Sequence, residues 1–293
     1  MKGAQLTECL YELIKLTATE LPEDVKAALI RMKEREDRDS HGAFILSLFL
    51  ENIDLASQRK APLCQDTGMP TFYFFHPPRM PHKSLRASAE KALVTATNEG
   101  YLRPNAVHPV TGKNSGNNIG INFPSLYFHE WDDEAVEVSL LLKGGGSENV
   151  GTQYSLPHDP LEAGRDMEGV RRVILEAVRR AEGKGCPPGV LGICLGGDRA
   201  SGYAEAKRQL LRPLDDRNTD PFLAEWEERL LRETNSLGIG PLGLGGKATL
   251  MGVKIGTLHR LPACYFVTVT YMCWVYRRRT IRIEKDGTYH IIL

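Results

Sequence analysis

Cysteines are the most reactive side chains of this sequence, and three of the six stand in distinctive loops. Cys64 lies in the polar turn Pro62-Leu-Cys-Gln-Asp-Thr-Gly68, Cys186 precedes two prolines, and Cys273 precedes a tryptophan. No Cys-x-x-Cys pair occurs, so the sequence supports neither a zinc ribbon, nor a thioredoxin site, nor sequential ferredoxin spacing. Each loop cysteine is therefore either a ligand that only folding brings to its partners or a small buried hydrophobic residue.

The other three cysteines stand in apolar surroundings. Cys9 falls on an amphipathic N-terminal pattern, Cys194 lies inside a hydrophobic strand pattern, and Cys264 lies in an apolar segment. Buried cysteine commonly serves as a small hydrophobic residue, so these three are expected to have structural roles.

A run of three glycines is the second feature with chemical potential. Lys143-Gly-Gly-Gly-Ser147 ends a strongly apolar strand pattern. Its backbone N–H groups could bind an anion such as a carboxylate, or the run could form only a tight turn. Both interpretations stay open on the local sequence.

Two other glycine-rich segments imitate nucleotide-binding motifs. The segment 238–243 matches G-x-G-x-x-G, but it follows a helical pattern, it contains Pro241, and no Asp or Glu occurs between Thr234 and Ile283. Gly246-Lys247 lacks the Ser or Thr of a phosphate loop, since Ala248 follows. Without the required strand, helix and acidic residue, a nucleotide site is rejected.

The elements that must position these loops alternate without a regular repeat. Residues 1–60 carry three amphipathic helical patterns, and residues 61–293 mix helices and strands joined by glycine-rich loops. We predict a single α+β domain over residues 1–293, with an N-terminal helical bundle packed on a mixed β-sheet region. The basic run 277–279 is expected to form a solvated edge, and Asp286-Gly287 a hairpin turn.

Composition restricts the class of protein. The 293 residues carry 37 Lys plus Arg and 37 Asp plus Glu, so a bulk basic field for nucleic acid is absent. Hydrophobic residues make up 42% and charged residues 25%, which is typical of globular proteins. The longest apolar run, 263–276, is too short to span a bilayer, and no secretory signal is visible. These features favour a cytoplasmic protein that binds neither membrane nor nucleic acid.

Taken in order, the motifs resemble one family over nearly the whole chain. The sequence resembles the N-terminal domain, or the separate alpha subunit, of class I fumarate hydratase, and L-tartrate dehydratase alpha subunits belong to the same group. The motifs that carry the resemblance are Cys64-Gln-Asp-Thr-Gly68, Arg103-Pro-Asn-Ala106, Gly112-Lys-Asn-Ser-Gly116, Lys143-Gly-Gly-Gly-Ser147, Gly185-Cys-Pro-Pro188, Gly196-Gly-Asp-Arg199, Asn235-Ser-Leu-Gly-Ile-Gly-Pro241, Gly252-Val-Lys254 and Cys273-Trp274.

The resemblance implies a hydro-lyase with a [4Fe–4S] cluster. Such enzymes hold the cluster by three cysteines, which match Cys64, Cys186 and Cys273, and leave one iron open. Thiolates suit iron–sulfur clusters, and the open iron can act as a Lewis acid on a hydroxyl group.

The same resemblance assigns roles around the cluster. Asp66 would move a proton at the carbon next to the one that loses hydroxide, although an Asx-turn is its structural alternative. Gln65 and Arg103 would bind a substrate carboxylate, Arg103 through its planar fork. Gly145 and Gly146 would donate backbone N–H groups to the same dicarboxylate.

A second domain is missing from the chain in comparison with one-chain members of the family. We therefore expect an alpha subunit that works with a separate beta subunit, in an α2β2 assembly; a truncated longer enzyme is the alternative. The favoured reaction is the interconversion of fumarate and L-malate, a step of the tricarboxylic acid cycle. The alternatives are L(+)-tartrate dehydration to oxaloacetate and a non-catalytic metal-binding assembly subunit.

Overall fold

The computed structural model describes residues 3–293 and shows a mixed α/β protein, which confirms the predicted fold class. The chain divides into two compact units. The first contains the residues up to Pro22 together with Asn52–Gly145 and Arg277–Leu293, and the second contains Glu23–Glu51 and Gly146–Tyr276. The prediction of a single domain over 1–293 stays a prediction.

Helices and strands follow one another along the chain without a regular alternation. The α-helices are α1 (Gly3–Thr19), α2 (Glu23–Arg35), α3 (His41–Arg59), α4 (His82–Asn98), α5 (Gly145–Asn149), α6 (Met167–Ala181), α7 (Arg199–Gln209) and α8 (Pro221–Asn235). The strands are β1 (Met69–His76), β2 (Ser125–Glu130), β3 (Val136–Lys143), β4 (Thr152–Ser155), β5 (Gly189–Gly196), β6 (Leu250–Leu258), β7 (Phe266–Met272), β8 (Arg278–Ile283) and β9 (Tyr289–Ile291).

The first unit is built on a five-stranded sheet of order β2-β1-β3-β8-β9. Strands β1 and β2 run parallel, whereas β1–β3, β3–β8 and β8–β9 are antiparallel. Phe72 of β1 pairs with Leu140 of β3, and both are fully buried. Helix α1 packs against α4, β3 and β8, and Leu10 and Ile14 on its apolar stripe join the same core.

The second unit contains a four-stranded sheet of order β4-β7-β5-β6. Strand β5 reads Gly-Val-Leu-Gly-Ile-Cys-Leu-Gly and is buried along its whole length, as expected for a central strand covered on both faces. Helices α6, α7 and α8 pack against this sheet. Asp166 caps α6 by accepting a hydrogen bond from the Gly169 N–H at 2.7 Å, which satisfies one of the open donors at the helix start.

The sequence patterns predicted the long elements and missed the short or polar ones. The three N-terminal helices form, with α1 in the first unit and α2 in the second. Strands β2, β4 and β9 and the short helix α5 were not predicted. Strand β2 is half-exposed and ends in His129-Glu130, so it lacks a strong apolar signal.

The prediction of a solvated basic edge at residues 277–279 is wrong for two of its three arginines. Arg277 is 1% exposed and Arg278 is fully buried. The cause is pairing with β3, which is buried over this stretch. Leu142 N–H donates to the Arg277 carbonyl at 3.0 Å, and Arg278 pairs with Leu141. The predicted hairpin at Asp286-Gly287 is confirmed, because β8 and β9 pair antiparallel around it.

No helix within the described residues is both long enough and apolar enough to cross a membrane.

Candidate active site

The loop that carries Cys64, Gln65 and Asp66 joins α3 to β1 in the first unit. Leu63 N–H donates to the Ala18 carbonyl at 3.0 Å, and the Asn52 side-chain amide donates to the Leu63 carbonyl at 2.9 Å. These bonds fix the chain immediately before Cys64. The Cys64 thiol is half-buried and lies 3.6 Å from Gln65 Oε1.

The Asp66 carboxylate is held by two backbone donors. Oδ1 accepts the Gly68 N–H at 3.0 Å, which is the Asx-turn that the sequence analysis gave as the structural alternative, and Oδ2 accepts the Gly145 N–H at 2.7 Å. The backbone of Asp66 is held as well, because the buried Arg277 donates from Nη2 to its carbonyl at 2.8 Å. The turn and the bond to Gly145 together give the carboxylate one fixed orientation.

Two glycines allow this close approach. Gly68 has φ +82°, and a Cβ there would lie 2.9 Å from backbone atoms of Leu142 and Lys143. A Cβ on Gly144 would lie 2.7 Å from Asp66 Oδ2. The loop after Cys64 and the end of β3 can therefore meet only where both positions lack a side chain.

Arg103 lies beside the same loop. Its N–H donates to Thr67 Oγ1 at 3.0 Å, and its exposed guanidinium lies 3.4 Å from the Gln65 carbonyl. The Asn105 side-chain amide donates to Thr67 Oγ1 at 3.1 Å and to the Gly68 carbonyl at 3.3 Å. The structure thus brings Arg103 together with the loop of Gln65 and Asp66, and buried Thr67 joins them.

A buried asparagine holds the segment that follows Arg103. Asn118 accepts the Asn105 N–H at 2.6 Å and donates to the Arg103 carbonyl at 2.8 Å and to Thr97 Oγ1 at 2.9 Å. Sequence reasoning missed Thr67, Asn105 and Asn118. Thr67 and Asn105 lie within quoted motifs, but their hydrogen-bond partners are up to 38 residues away and carry no local signal.

The second unit brings two other predicted ligands together. Trp274 N–H donates to the Cys186 carbonyl at 3.1 Å, so the loops of Cys186 and Cys273 touch directly. Cys186 is exposed and takes a left-handed backbone conformation with φ +51°, and its N–H donates to the Gly183 carbonyl at 3.0 Å. Cys273 is half-buried.

Tyr271 occupies the space behind both loops. A Cβ on Gly185 or Gly189 would lie within 2.6 Å of its ring, so the ring fits only against glycine. Burial raises the pKa of the Tyr271 hydroxyl far above its usual range, and the negative charge that Cys273 and Cys186 can carry raises it further. The hydroxyl therefore stays neutral beside the two thiols.

The remaining cysteines differ from these in their surroundings. Burial raises the pKa of the Cys9 thiol, and it raises the pKa of Cys194 to about 12. Neither side chain readily becomes the thiolate that metals bind. Cys264 is half-buried.

Within residues 3–293, no group of three or more His, Cys, Asp or Glu side chains is arranged to hold a metal ion. The assignment of Cys64, Cys186 and Cys273 to one cluster therefore stays a prediction from the sequence.

The residues of the glycine-rich segment 143–147 have different surroundings. Lys143 is buried, the Gly145 N–H is engaged by Asp66, and Gly146 begins the second unit. Residues Gly145–Asn149 form the short helix α5 rather than the predicted loop.

The segment that imitates a phosphate loop binds a carboxylate of the protein itself. The buried Glu36 accepts the Lys247 N–H at 2.6 Å and the Ala248 N–H at 2.9 Å. A Cβ on Gly246 would lie 2.8 Å from Glu36 Oε1. Gly246 therefore serves the packing of Glu36, the residue after α2, inside the second unit.

Comparison with known proteins gives one family. The family model described as fumarate hydratase (Fumerase) matches residues 7–282. The chain is 44% identical over 286 residues to a putative fumarate hydratase class I of Geobacillus stearothermophilus, across 96% of this chain and 55% of that protein. It spans about half the length of that relative.

Two further relatives have nearly the same length as this chain. A putative L(+)-tartrate dehydratase subunit alpha of Methanocaldococcus jannaschii is 35% identical over 289 residues, which cover 97% of this chain and 99% of the relative. An L(+)-tartrate dehydratase subunit alpha of Escherichia coli is 32% identical over 291 residues, covering 97% and 93% respectively.

Proposed function

The chain belongs to the Fumerase family of fumarate hydratases, and from this premise we propose a [4Fe–4S]-dependent hydro-lyase that interconverts fumarate and L-malate. The expected family is confirmed, because the family model matches residues 7–282, and the hydro-lyase reaction is part of the proposal. The substrate, the cluster, the site residues and the partner belong to the proposal.

The observation that carries the proposal is the fixed carboxylate of Asp66. Asp66 lies two residues after Cys64, and two backbone N–H groups hold its carboxylate. Arg103 contacts the same loop through the hydrogen bond from its N–H to Thr67 Oγ1. A hydro-lyase needs a positioned group for the proton and a cation for the substrate carboxylate. We propose Asp66 for the first role and Arg103 for the second.

The donor chemistry fits an iron–sulfur cluster. Cys64, Cys186 and Cys273 have thiols that reach the surface in part or fully, whereas Cys9 and Cys194 are buried. Thiolates are the usual ligands of such clusters, and three of them leave one iron open. When bound, the cluster would supply a Lewis acid that polarises the C–O bond of the substrate.

Residues of the chain would then bind the substrate and transfer the proton. Arg103 would bind a substrate carboxylate through two parallel hydrogen bonds, with Gln65 beside it. Asp66 Oδ2 would exchange a proton with the carbon next to the hydroxyl-bearing carbon. Because the Gly145 N–H donates to Asp66, we assign Gly145 mainly to orienting that carboxylate and Gly146 to the substrate.

A partner completes the proposal. Two relatives of nearly equal length are named alpha subunits, and the longer fumarate hydratase extends well beyond the matched region. We propose a beta subunit, in an α2β2 assembly, that supplies the rest of the substrate site. The six cysteines are thiols rather than disulfides, which supports a cytoplasmic location.

Fumarate is preferred to tartrate because the fumarate hydratase relative is 44% identical, against 35% and 32% for two tartrate dehydratase alpha subunits. Dehydration of L(+)-tartrate to oxaloacetate is the second candidate, supported by the matching length of those subunits.

The test is anaerobic reconstitution with iron and sulfide, with and without the beta subunit, followed by assays on fumarate and on L-tartrate. We expect fumarate hydration only in the reconstituted complex. Turnover of tartrate alone would select the second candidate. A fully iron-loaded complex that turns over neither substrate would leave a metal-binding assembly role.

A further inference from the structure

We infer that residues 105–123, the apolar loop, form the surface on which the beta subunit docks next to Arg103. This inference rests on the proposed function and adds the location of the contact. The loop lies entirely in the first unit.

The apolar loop consists of two small turns with an apolar residue at each tip. Val107 and Asn114 form one isolated bridge, and Gly120 and Phe123 form the other. Val110 lies at the first tip and is 86% exposed, and Ile121 lies at the second and is 97% exposed. Exposure of such side chains at two neighbouring tips is costly in water and is relieved by contact with another surface.

One groove lies between the two turns, and of the two tip residues Ile121 lines it while Val110 lies outside it. A cavity of about 680 Å³ is lined by residues from both turns, including Val107, Pro109, Ile119, Ile121 and Phe123. A partner side chain could therefore enter between the turns instead of meeting a flat surface. Anchoring of this kind is typical of the residues that dominate binding at protein interfaces.

The charge of the loop also favours a protein contact. Lys113 is the only Asp, Glu, Lys or Arg residue in segment 105–123, although such residues make up 25% of the chain. Depletion of charged residues, rather than hydrophobicity alone, distinguishes the cores of protein interfaces from other surface. The partner that fits is an apolar protein surface with a carboxylate opposite Lys113.

The backbone of the loop is already ordered by its own hydrogen bonds. Asn114 donates from Nδ2 to the Pro104 carbonyl at 2.8 Å, and its Oδ1 accepts the Gly116 N–H at 2.9 Å. Ser115 N–H donates to the Ala106 carbonyl at 2.9 Å. Docking on an ordered loop loses little conformational entropy, so the exposed apolar tips can contribute directly to affinity.

We choose the beta subunit as the occupant for two reasons: the apolar loop adjoins the candidate site, and the fumarate hydratase relative is much longer than this chain. Asn118, inside the apolar loop, is bonded to the Arg103 carbonyl and to the Asn105 N–H, so a partner seated on this loop lies beside the proposed substrate site. The fumarate hydratase relative also contains a large region with no counterpart in this chain, since the chain covers 55% of it. A second copy of this chain is the competing occupant.

The test is sedimentation velocity of the purified, iron-loaded chain mixed with its separately purified beta subunit, which gives the dissociation constant of the complex. Ile121→Asp and Val110→Asp should each raise the dissociation constant by about 30-fold or more, as loss of an interface anchor does. Leu261→Asp is the control, because Leu261 is 70% exposed in the second unit and should leave binding unchanged. Circular dichroism of each variant checks that the chain is still folded. Ile121→Ser removes the apolar side chain without adding a charge, so it should also weaken binding if the apolar contact itself is needed.

The outcomes are distinct. Wild-type affinity in both Asp variants would overturn the inference. Weakened self-association of the chain alone, with beta-subunit binding intact, would assign the loop to a second copy and also overturn it. Normal binding by the wild-type chain without turnover of fumarate or tartrate would leave the docking surface in place and reject the proposed reaction instead.

Discussion

The contact between Gly144 and Asp66 allows a quantitative test of the proposed proton-transfer group. In a Gly144→Ala variant the new Cβ would lie 2.7 Å from Asp66 Oδ2, whereas an ordinary contact begins at about 3.4 Å. The carboxylate must therefore move by about 0.7 Å. Because Gly144 does not have a positive φ, the substitution acts through this contact and not through backbone strain.

The displacement has two expected costs. The Gly145 N–H to Oδ2 distance, now 2.7 Å, would stretch to as much as about 3.4 Å, beyond the usual N–H···O range of about 2.7–3.2 Å, and the bond would weaken or break. Loss of a hydrogen bond to a charged group lowers the free energy of unfolding by about 1.5–3 kcal/mol. Misplacement of a reacting group on the order of 1 Å lowers kcat by about 10²-fold, and Asp66→Asn, which removes the group, sets the limit at roughly 10²- to 10⁴-fold.

The assay is steady-state turnover of fumarate and L-malate by the complex with the beta subunit, together with urea denaturation and iron content. Gly164→Ala is the matched control, because its Cβ would lie 2.9 Å from the Asp166 carboxylate, which caps α6. That variant should lose stability but keep kcat. Wild-type kcat in Gly144→Ala, or an equal loss of kcat in Gly164→Ala, would refute the role given to Asp66.

Three further predictions concern the thiols and the residues that support the loops. In the metal-free protein at pH 8, iodoacetamide should label Cys64, Cys186 and Cys273 but not Cys194, whose pKa of about 12 keeps it protonated until the pH approaches that value; mass spectrometry after a pH series checks this. Gly189→Ala should lower the free energy of unfolding by about 1–3 kcal/mol and reduce iron content, because its Cβ would lie 2.4 Å from the Tyr271 ring. Gly120→Ala is the control and should do neither, because the nearest contact of its Cβ would be at 3.7 Å. Arg277→Met should lower the free energy of unfolding by about 1–3 kcal/mol, since it leaves the Asp66 carbonyl without its buried donor; an unchanged denaturation midpoint would contradict this.

The sequence indicates the long elements because their periodicity is strong. The stripe Leu6, Leu10, Leu13 and Ile14 forms the buried face of α1, and the apolar run after Val136 forms β3. The two units are interleaved along the chain, with Arg277–Leu293 returning to the first unit. A pattern within a short window of sequence carries no information on such long-range pairing, which is why buried Arg277 and Arg278 were taken for surface residues.

The candidate site was predictable in its residue types and not in its supporting contacts. The motifs identified Cys64, Asp66 and Arg103, and the structure shows why Asp66 is followed by Gly68 and faces Gly144. Contacts made by Thr67, Asn105 and Asn118 depend on the meeting of distant segments, so no local signal announces them. The glycines near Glu36 show the reverse case, in which a sequence motif has a purely structural cause.

The cluster assignment, on which the proposed chemistry rests, is tested by one measurement: iron bound per chain after anaerobic reconstitution, compared among cysteine variants. We predict about four irons per wild-type chain with a broad charge-transfer absorption. Cys64→Ser, Cys186→Ser and Cys273→Ser should each lose most of this iron, whereas Cys9→Ser should keep it. Full iron loading in the three loop variants, or its loss in Cys9→Ser alone, would contradict the assignment and the reaction built on it.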